Sequence, residues 1–481
     1  MRKSVGNYFK TSIIYAIVTA FAPALQILIL PVIEGDNRLN ATDFSHLAIT
    51  ESISVLAMTI AIYAMGNAIA RFYFDVREDK IAYNKLVSSV YSSIIFRGLL
   101  LLLAGLIFGK YIGKIFPQPE LQDFYSYGFA AIIIGINRAI ILTATSLYRN
   151  EQKVKLFVVV NILLGILRTG FQVYMVLDYR MSFIGYVYGS AIGSGITALL
   201  ILGYTFRKTG LHYHKQVMKQ VNDFARPLFH FGLVQWSLLF ADRYFLKLNN
   251  FQEELGIYDT AMRFMLGIQL ILQGIQGATQ PEVYRMLKDR NQHTNQDLNN
   301  LLSVLQVQTL LVIAIAIFPV MYFAEIFFET SLQLVAGMIP VLFMINILRT
   351  QFVVFSFPVY FEKKTGYFLK INSLVLIVNL LLNYILVPHL KAYGSIIALY
   401  VSGLIQVIAT YYYQEKLMDI SFDKFKLFVW PITIVLFTAV MEVIKIMFGL
   451  NYFFTSAIIV FVILTGVVMV YKNDVRNYIG R

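Results

Sequence analysis

The chain has 481 residues, of which 58% are hydrophobic, 15% aromatic and only 14% charged, with a mean hydropathy of +0.67, against roughly 25% charged in an ordinary soluble domain. This composition excludes a soluble enzyme and points to a polytopic membrane protein. Cysteine is absent, which removes disulfides, thiolate metal sites and cysteine nucleophiles, and the net charge of +13 has to be located along the chain before it is read as a nucleic-acid signal.

At the start, Arg2, Lys3 and Lys10 precede an apolar stretch that runs to about Ile33 without a small-residue cleavage pattern, so it reads as a retained first span. Cutting at charged or Pro/Gly/Asn breaks gives fourteen candidate helices of the length a bilayer core demands. They are approximately 9–33, 44–70, 86–112, 122–147, 154–177, 181–206, 226–249, 254–281, 298–324, 331–360, 366–388, 391–414, 425–449 and 452–471. Of the 40 Lys and Arg, 27 fall on one set of alternate loops and 6 (Arg38, Lys110, Lys114, Arg180, Lys247 and Lys391) on the other. Cationic loops stay cytoplasmic. Both termini are therefore expected in the cytoplasm, with the chain in the cytoplasmic (inner) membrane, and most of the charge is topological rather than a sign of nucleic acid.

The longest connection, Arg207 to Asn222, is polar and basic and lies mid-chain. A shift of 211 brings Asn137-Arg138 onto Leu348-Arg349, and a shift of 208 brings Glu51 onto Asp259 and Gly66 onto Gly274. Six helices per repeat is an even number, so the two copies enter the membrane from the same side as parallel repeats. The expected organisation is an N-terminal lobe over 1–207, a cytoplasmic linker over 208–225, a C-terminal lobe over 226–418, and two extra helices with a cytoplasmic tail over 419–481.

A charge inside a span costs about 2.5–3.5 kcal/mol on insertion scales, so each is expected to face a cavity or a partner. These are Glu51, Arg97, Arg138, Arg168, Asp242, Arg243, Arg263, Arg349, and Glu442 with Lys445. A guanidinium keeps its charge and presents a planar fork that suits phosphate oxygens, so an arginine-rich interior favours an anionic cargo over a proton relay. Each also has a plainer explanation. Arg138 and its repeat counterpart Arg349 are within reach of snorkelling. Arg97 follows Ser89 and Ser93 at i, i+4 spacing, a stripe that serves either helix packing or a cavity wall. Glu442 and Lys445 are placed to pair with each other. Arg263 lies near mid-membrane, while Asp242 and Arg243, adjacent on a helix, are expected to serve different partners. Pro23 and Pro31, Pro281 at the end of span eight, Pro319, Pro340 and Pro358 mark expected bends.

No G-x-x-x-x-G-K-[ST] loop is present, so transport would be secondary. Of the six histidines only His212 and His214 approach ligand spacing, on a solvated linker, so neither a metal nor a cofactor is expected. No outside loop is large enough to carry catalytic carboxylates, which argues against an enzyme.

The stretch Gly66-Asn67-Ala68-Ile69-Ala70-Arg71-Phe72-Tyr73-Phe74, and Ala241-Asp242-Arg243-Tyr244-Phe245-Leu246 followed by Gly256-Ile257-Tyr258 and Arg263, resemble motifs of the Wzx-type polysaccharide flippases. These belong to the multidrug/oligosaccharidyl-lipid/polysaccharide exporter (MOP) superfamily. The resemblance implies an all-α protein of fourteen transmembrane helices, with two pseudo-symmetric six-helix lobes in a V and two C-terminal helices. It implies alternating-access exchange of a polyprenyl-pyrophosphate-linked oligosaccharide from inner to outer leaflet for surface polysaccharide biosynthesis. Partners would be the bilayer and polysaccharide polymerase or ligase machinery. It assigns Asp242, Arg243 and Arg263 to the motif of the C-terminal lobe and Arg71 to that of the N-terminal lobe, either receiving headgroups or anchoring at the interface. The first acid is Glu34, beyond span one, which departs from the drug exporters' usual pattern, although Glu51 or Asp259 could take over cation coupling. A cation-coupled multidrug or small-molecule exporter stays open as the alternative, and a membrane-embedded glycan polymerase as a more distant one.

Overall fold

The computed structural model describes residues 15, 17–35, 37–288, 292–362, 364, 366–418 and 420–479. The N-terminal cations Arg2, Lys3 and Lys10 of the topology argument lie outside the described residues. Among those described, the chain is helical, with one isolated bridge between Glu34 and Leu39 and no strand.

The helices, in chain order, are α1 (Ile17–Ile33), α2 (Ala41–Ile62), α3 (Met65–Val76), α4 (Lys80–Gly113), α5 (Phe124–Asn150), α6 (Val154–Leu177), α7 (Ser182–Thr209), α8 (Lys215–Leu248), α9 (Gln252–Lys288), α10 (Gln292–Phe327), α11 (Val335–Phe361), α12 (Gly366–Leu417), α13 (Trp430–Phe448) and α14 (Tyr452–Ile479). Eleven helical stretches among the described residues are long and apolar enough to cross a membrane. The other three expected segments differ for physical reasons. Helix α1 is apolar but shorter over its described part. Helix α8 carries Arg226, His230, Gln235, Asp242, Arg243 and Lys247 within its expected span, which interrupt its apolar run. Helix α12 is two helices joined across Lys391, whose φ of 52° and ψ of −131° break the helical path.

The chain packs as two units, Met1–Gly256 and Ile257–Arg481. In the first, α5 is the central helix, packed against α2, α3, α4 and α7, with 72% of its apolar window buried. Gly135 permits this: a Cβ there would lie 2.4 Å from the Ser54 carbonyl oxygen on α2. Helix α2 starts on a capping box, with Asn40 accepting from the Asp43 amide and Asp43 from the Asn40 amide. It ends where Tyr63 and Ala64 turn left-handed, with φ of 46° and 57°. In the second unit α11 is the buried helix, at 78% of its window, packed against α10, α12 and α13, while α14 lies along α10. The fourth helix of each expected repeat is thus the most buried in its own unit, so a charge it carries needs a partner supplied by the protein.

Candidate functional site

In the first unit, one turn beyond Gly135, Arg138 reaches from α5 to α2 and grips Glu51 with both ends of its fork, Nη1 to Oε1 at 2.5 Å and Nη2 to Oε2 at 3.1 Å. The side chains are 19% and 36% exposed. A bidentate pair of this kind cancels its own charge, so Arg138 presents little net positive field to a cargo.

Arg97 has a different role. The left-handed turn at Tyr63 and Ala64 interrupts the helix and frees carbonyls from their usual partners. Arg97 reaches over from α4 to donate Nε to the Ala61 oxygen at 2.9 Å, with its guanidinium 5.2 Å above the Tyr63 ring. It closes a broken helix. The serine stripe leading to it is engaged as well. The Ser88 hydroxyl donates to Gly210 O and His212 O, and the backbone amides of His212 and His214 donate to Ser88 and Ser89. The linker is fastened to α4 by these bonds.

Arg168 sits where α6 and α7 touch; a Cβ at Gly193 would lie 2.5 Å from its Cα. Beside it runs a polar network that charge-based reading passes over. Gln26 donates to Thr169 and Gln172, Gln172 to Ser190, and Tyr186 to Gln26. Arg71 pairs with Asp75 at 2.9 Å on an exposed face.

On α8, Asp242 and Arg243 are each 2% exposed. Contrary to the expectation of different partners, the Arg243 fork folds back onto Asp242 Oδ1 at 3.0 Å, donates to Leu239 O at 2.5 Å and lies over the Phe240 ring at 4.8 Å. One turn further on is Lys247, expected in an outer loop but fully buried, donating to Ser45 Oγ at 2.7 Å. Its position after an apolar run disguised it as a loop residue.

In the second unit, Arg263 pairs with Asp259 one turn back on α9 at 3.0 Å. Arg349 on α11 donates to the Gln269 carboxamide oxygen of α9. Among the described residues no carboxylate pairs with it. Glu442 and Lys445 do pair, at 2.5 Å, and are further held by Tyr393 and by the Gly337 carbonyl. The two carboxylates expected as cation-coupling groups, Glu51 and Asp259, are each bound by an arginine.

Residues 51–338 match the family of polysaccharide biosynthesis proteins. The chain belongs to that family. The matched stretch holds Glu51, Arg71, Asp242, Arg243 and Arg263, and ends before Arg349. No curated protein sequence matches the chain. Among solved structures it is similar to the lipid II flippase MurJ in an inward closed conformation, with a TM-score of 0.72 at 14% identity over 96% of this chain and 100% of that one. It is also similar to an inward-facing multidrug resistance MATE family transporter of the MOP superfamily, with a TM-score of 0.65 at 14% identity over 83% and 94%. A MOP superfamily transporter from Pyrococcus furiosus gives a TM-score of 0.56 at 16% identity over 85% and 96%. This polysaccharide biosynthesis protein therefore has the fold of the MOP transporters, as the motifs implied, and is a multi-pass membrane protein. Fold alone does not choose a cargo, which has to be argued from the side chains.

Proposed function

We propose that the chain is a secondary transporter that flips polyprenyl-pyrophosphate-linked oligosaccharide from the inner to the outer leaflet by alternating access. It would act in the cytoplasmic membrane, with fourteen crossings and both termini in the cytoplasm, and hand its cargo to polymerase or ligase machinery. The observation that carries the cargo chemistry is Arg349. A guanidinium inside a span that meets a neutral carboxamide keeps a full positive charge in a region of low dielectric, and a pyrophosphate is the complementary group. Membership of a polysaccharide biosynthesis family supports a glycan attached to that phosphate. The exporter alternative requires a carboxylate available to a cation, and both span carboxylates considered for it are engaged by arginines.

The test is reconstitution into liposomes with a fluorescent polyprenyl-pyrophosphate oligosaccharide, reading accessibility to an enzyme added on the far side. Wild-type protein should expose the glycan, and Arg349→Gln should slow exposure on the order of 100-fold, from the 2–5 kcal/mol that a desolvated charged contact carries. A glycan that stays protected throughout, with drug efflux in its place, overturns the proposal.

A further inference from the structure

A polar cavity, separate from the arginines above, opens at the ends of α4, α5 and α7 that carry the cationic loops. It measures about 440 Å³ and is lined by Lys80, Tyr83, Asn84, Tyr148, Glu151, Lys153 and Lys208, among others. Its floor is built from the core of the first unit, with Val87, Leu147 and Tyr148 all nearly inaccessible. One carboxylate faces it, and that one is already satisfied: Glu151 accepts from the Tyr83 hydroxyl at 2.6 Å and pairs with Lys153 at 2.8 Å. Lys80 and Lys208 come from different helices, and among the described residues neither pairs with a carboxylate. The Tyr148 hydroxyl and the Asn84 carboxamide have no hydrogen-bond partner among the described residues. The cavity therefore offers two uncompensated ammonium groups and two idle donors around a preformed floor.

We propose that this cavity binds the phosphate headgroup of an anionic phospholipid. Lys80 and Lys208 would supply the charge, and Tyr148 and Asn84 hydrogen bonds to the phosphate oxygens. Basic pockets between transmembrane helices on the cytoplasmic side suit such headgroups. The outer face of α7 indicates where the chains lie. Ile196, Leu200 and Tyr204 recur at i, i+4 and are 36%, 57% and 37% exposed, and the next residue on that face is Lys208, bonded to the Tyr204 hydroxyl. Apolar residues, then an amphipathic ring, then a cation is the order in which a lipid presents acyl chain, interface and phosphate. A soluble phosphate would have no use for the Ile196–Leu200–Tyr204 track. The assignment does not rest on the identity of the transported cargo.

The test is native mass spectrometry of the full chain in detergent, titrated with phosphatidylglycerol or phosphatidylcholine. Wild-type protein should retain phosphatidylglycerol at least tenfold better than phosphatidylcholine. The preference should be lost in Lys80→Gln/Lys208→Gln and kept in Lys80→Arg/Lys208→Arg, which preserves the charge. Both positions are exposed, so the variants should fold, and a fluorescence melting curve checks this. Tyr148→Phe should weaken retention several-fold. Equal retention of the two lipids by wild-type protein, or an unchanged preference in the glutamine variant, overturns the proposal. Displacement of phosphatidylglycerol by millimolar inorganic pyrophosphate with no contribution from the acyl chains would assign the cavity to cargo phosphates and also overturn it.

Discussion

Arg138 and Arg349 stand on corresponding helices of the two expected repeats, each the most buried helix of its own unit, and each reaches to the second helix of its repeat. They meet opposite chemistry. Arg138 meets Glu51, and the pair is electrically closed; Arg349 meets Gln269, and its charge stays open. Under the proposed function, that difference of one acidic oxygen would decide whether a span arginine serves as a clamp or receives an anion. A charge count of the spans, which treats the two arginines alike, cannot draw that distinction.

The sharpest way to break the comparison is to make the second unit resemble the first. Gln269→Glu should neutralise Arg349 and cut flipping on the order of 100-fold, as Arg349→Gln does, while leaving thermal stability close to that of wild type. A Gln269→Glu variant with wild-type flipping rates would show that the open charge is irrelevant. Next in size is the reverse change. Glu51→Gln strands Arg138 in a half-buried site, and the melting temperature should fall by the equivalent of about 2 kcal/mol, below the loss for a fully buried pair because both side chains keep some solvent. The double variant Glu51→Gln/Arg138→Gln should recover most of that loss, since removing both partners leaves no stranded charge. If Glu51→Gln instead abolishes ion-dependent drug transport at unchanged stability, Glu51 is a coupling carboxylate and the exporter alternative gains.

Arg97→Leu removes a charged donor from the freed Ala61 carbonyl and should cost about 1.5 kcal/mol of stability, visible as a melting shift with flipping per folded molecule unchanged. The smallest effect is expected at Arg71. Its pair with Asp75 is solvent-screened, so Arg71→Ala should leave melting unchanged, and any loss of flipping would identify it as a contact for incoming headgroups.

The helices were readable wherever an apolar run filled a span. The expected 154–177 coincides with α6, and the break between 366–388 and 391–414 falls at the Lys391 kink. Starts were missed where polar turns extend the helix beyond the apolar run, as at Lys80 of α4 and Lys215 of α8. The main interruption of a span, at Tyr63 and Ala64, carries neither proline nor glycine, so no local signal announces it. The tertiary support from Arg97 holds it in place. Lys247 likewise looks like a loop cation until Ser45, two hundred positions away, is seen to hold its ammonium group.

The sequence by itself determined that this chain crosses a membrane repeatedly, where most spans lie, which alternate loops carry the cations, and which charges inside the spans call for an explanation. Hydrophobic run length and charge placement are local properties, and a bilayer reads them segment by segment. Only the tertiary structure decided which arginines are neutralised, because pairing depends on what a neighbouring helix places within about 3 Å of the guanidinium. That neighbour is eighty or more residues away for Arg138 and Arg349 and one turn away for Arg263.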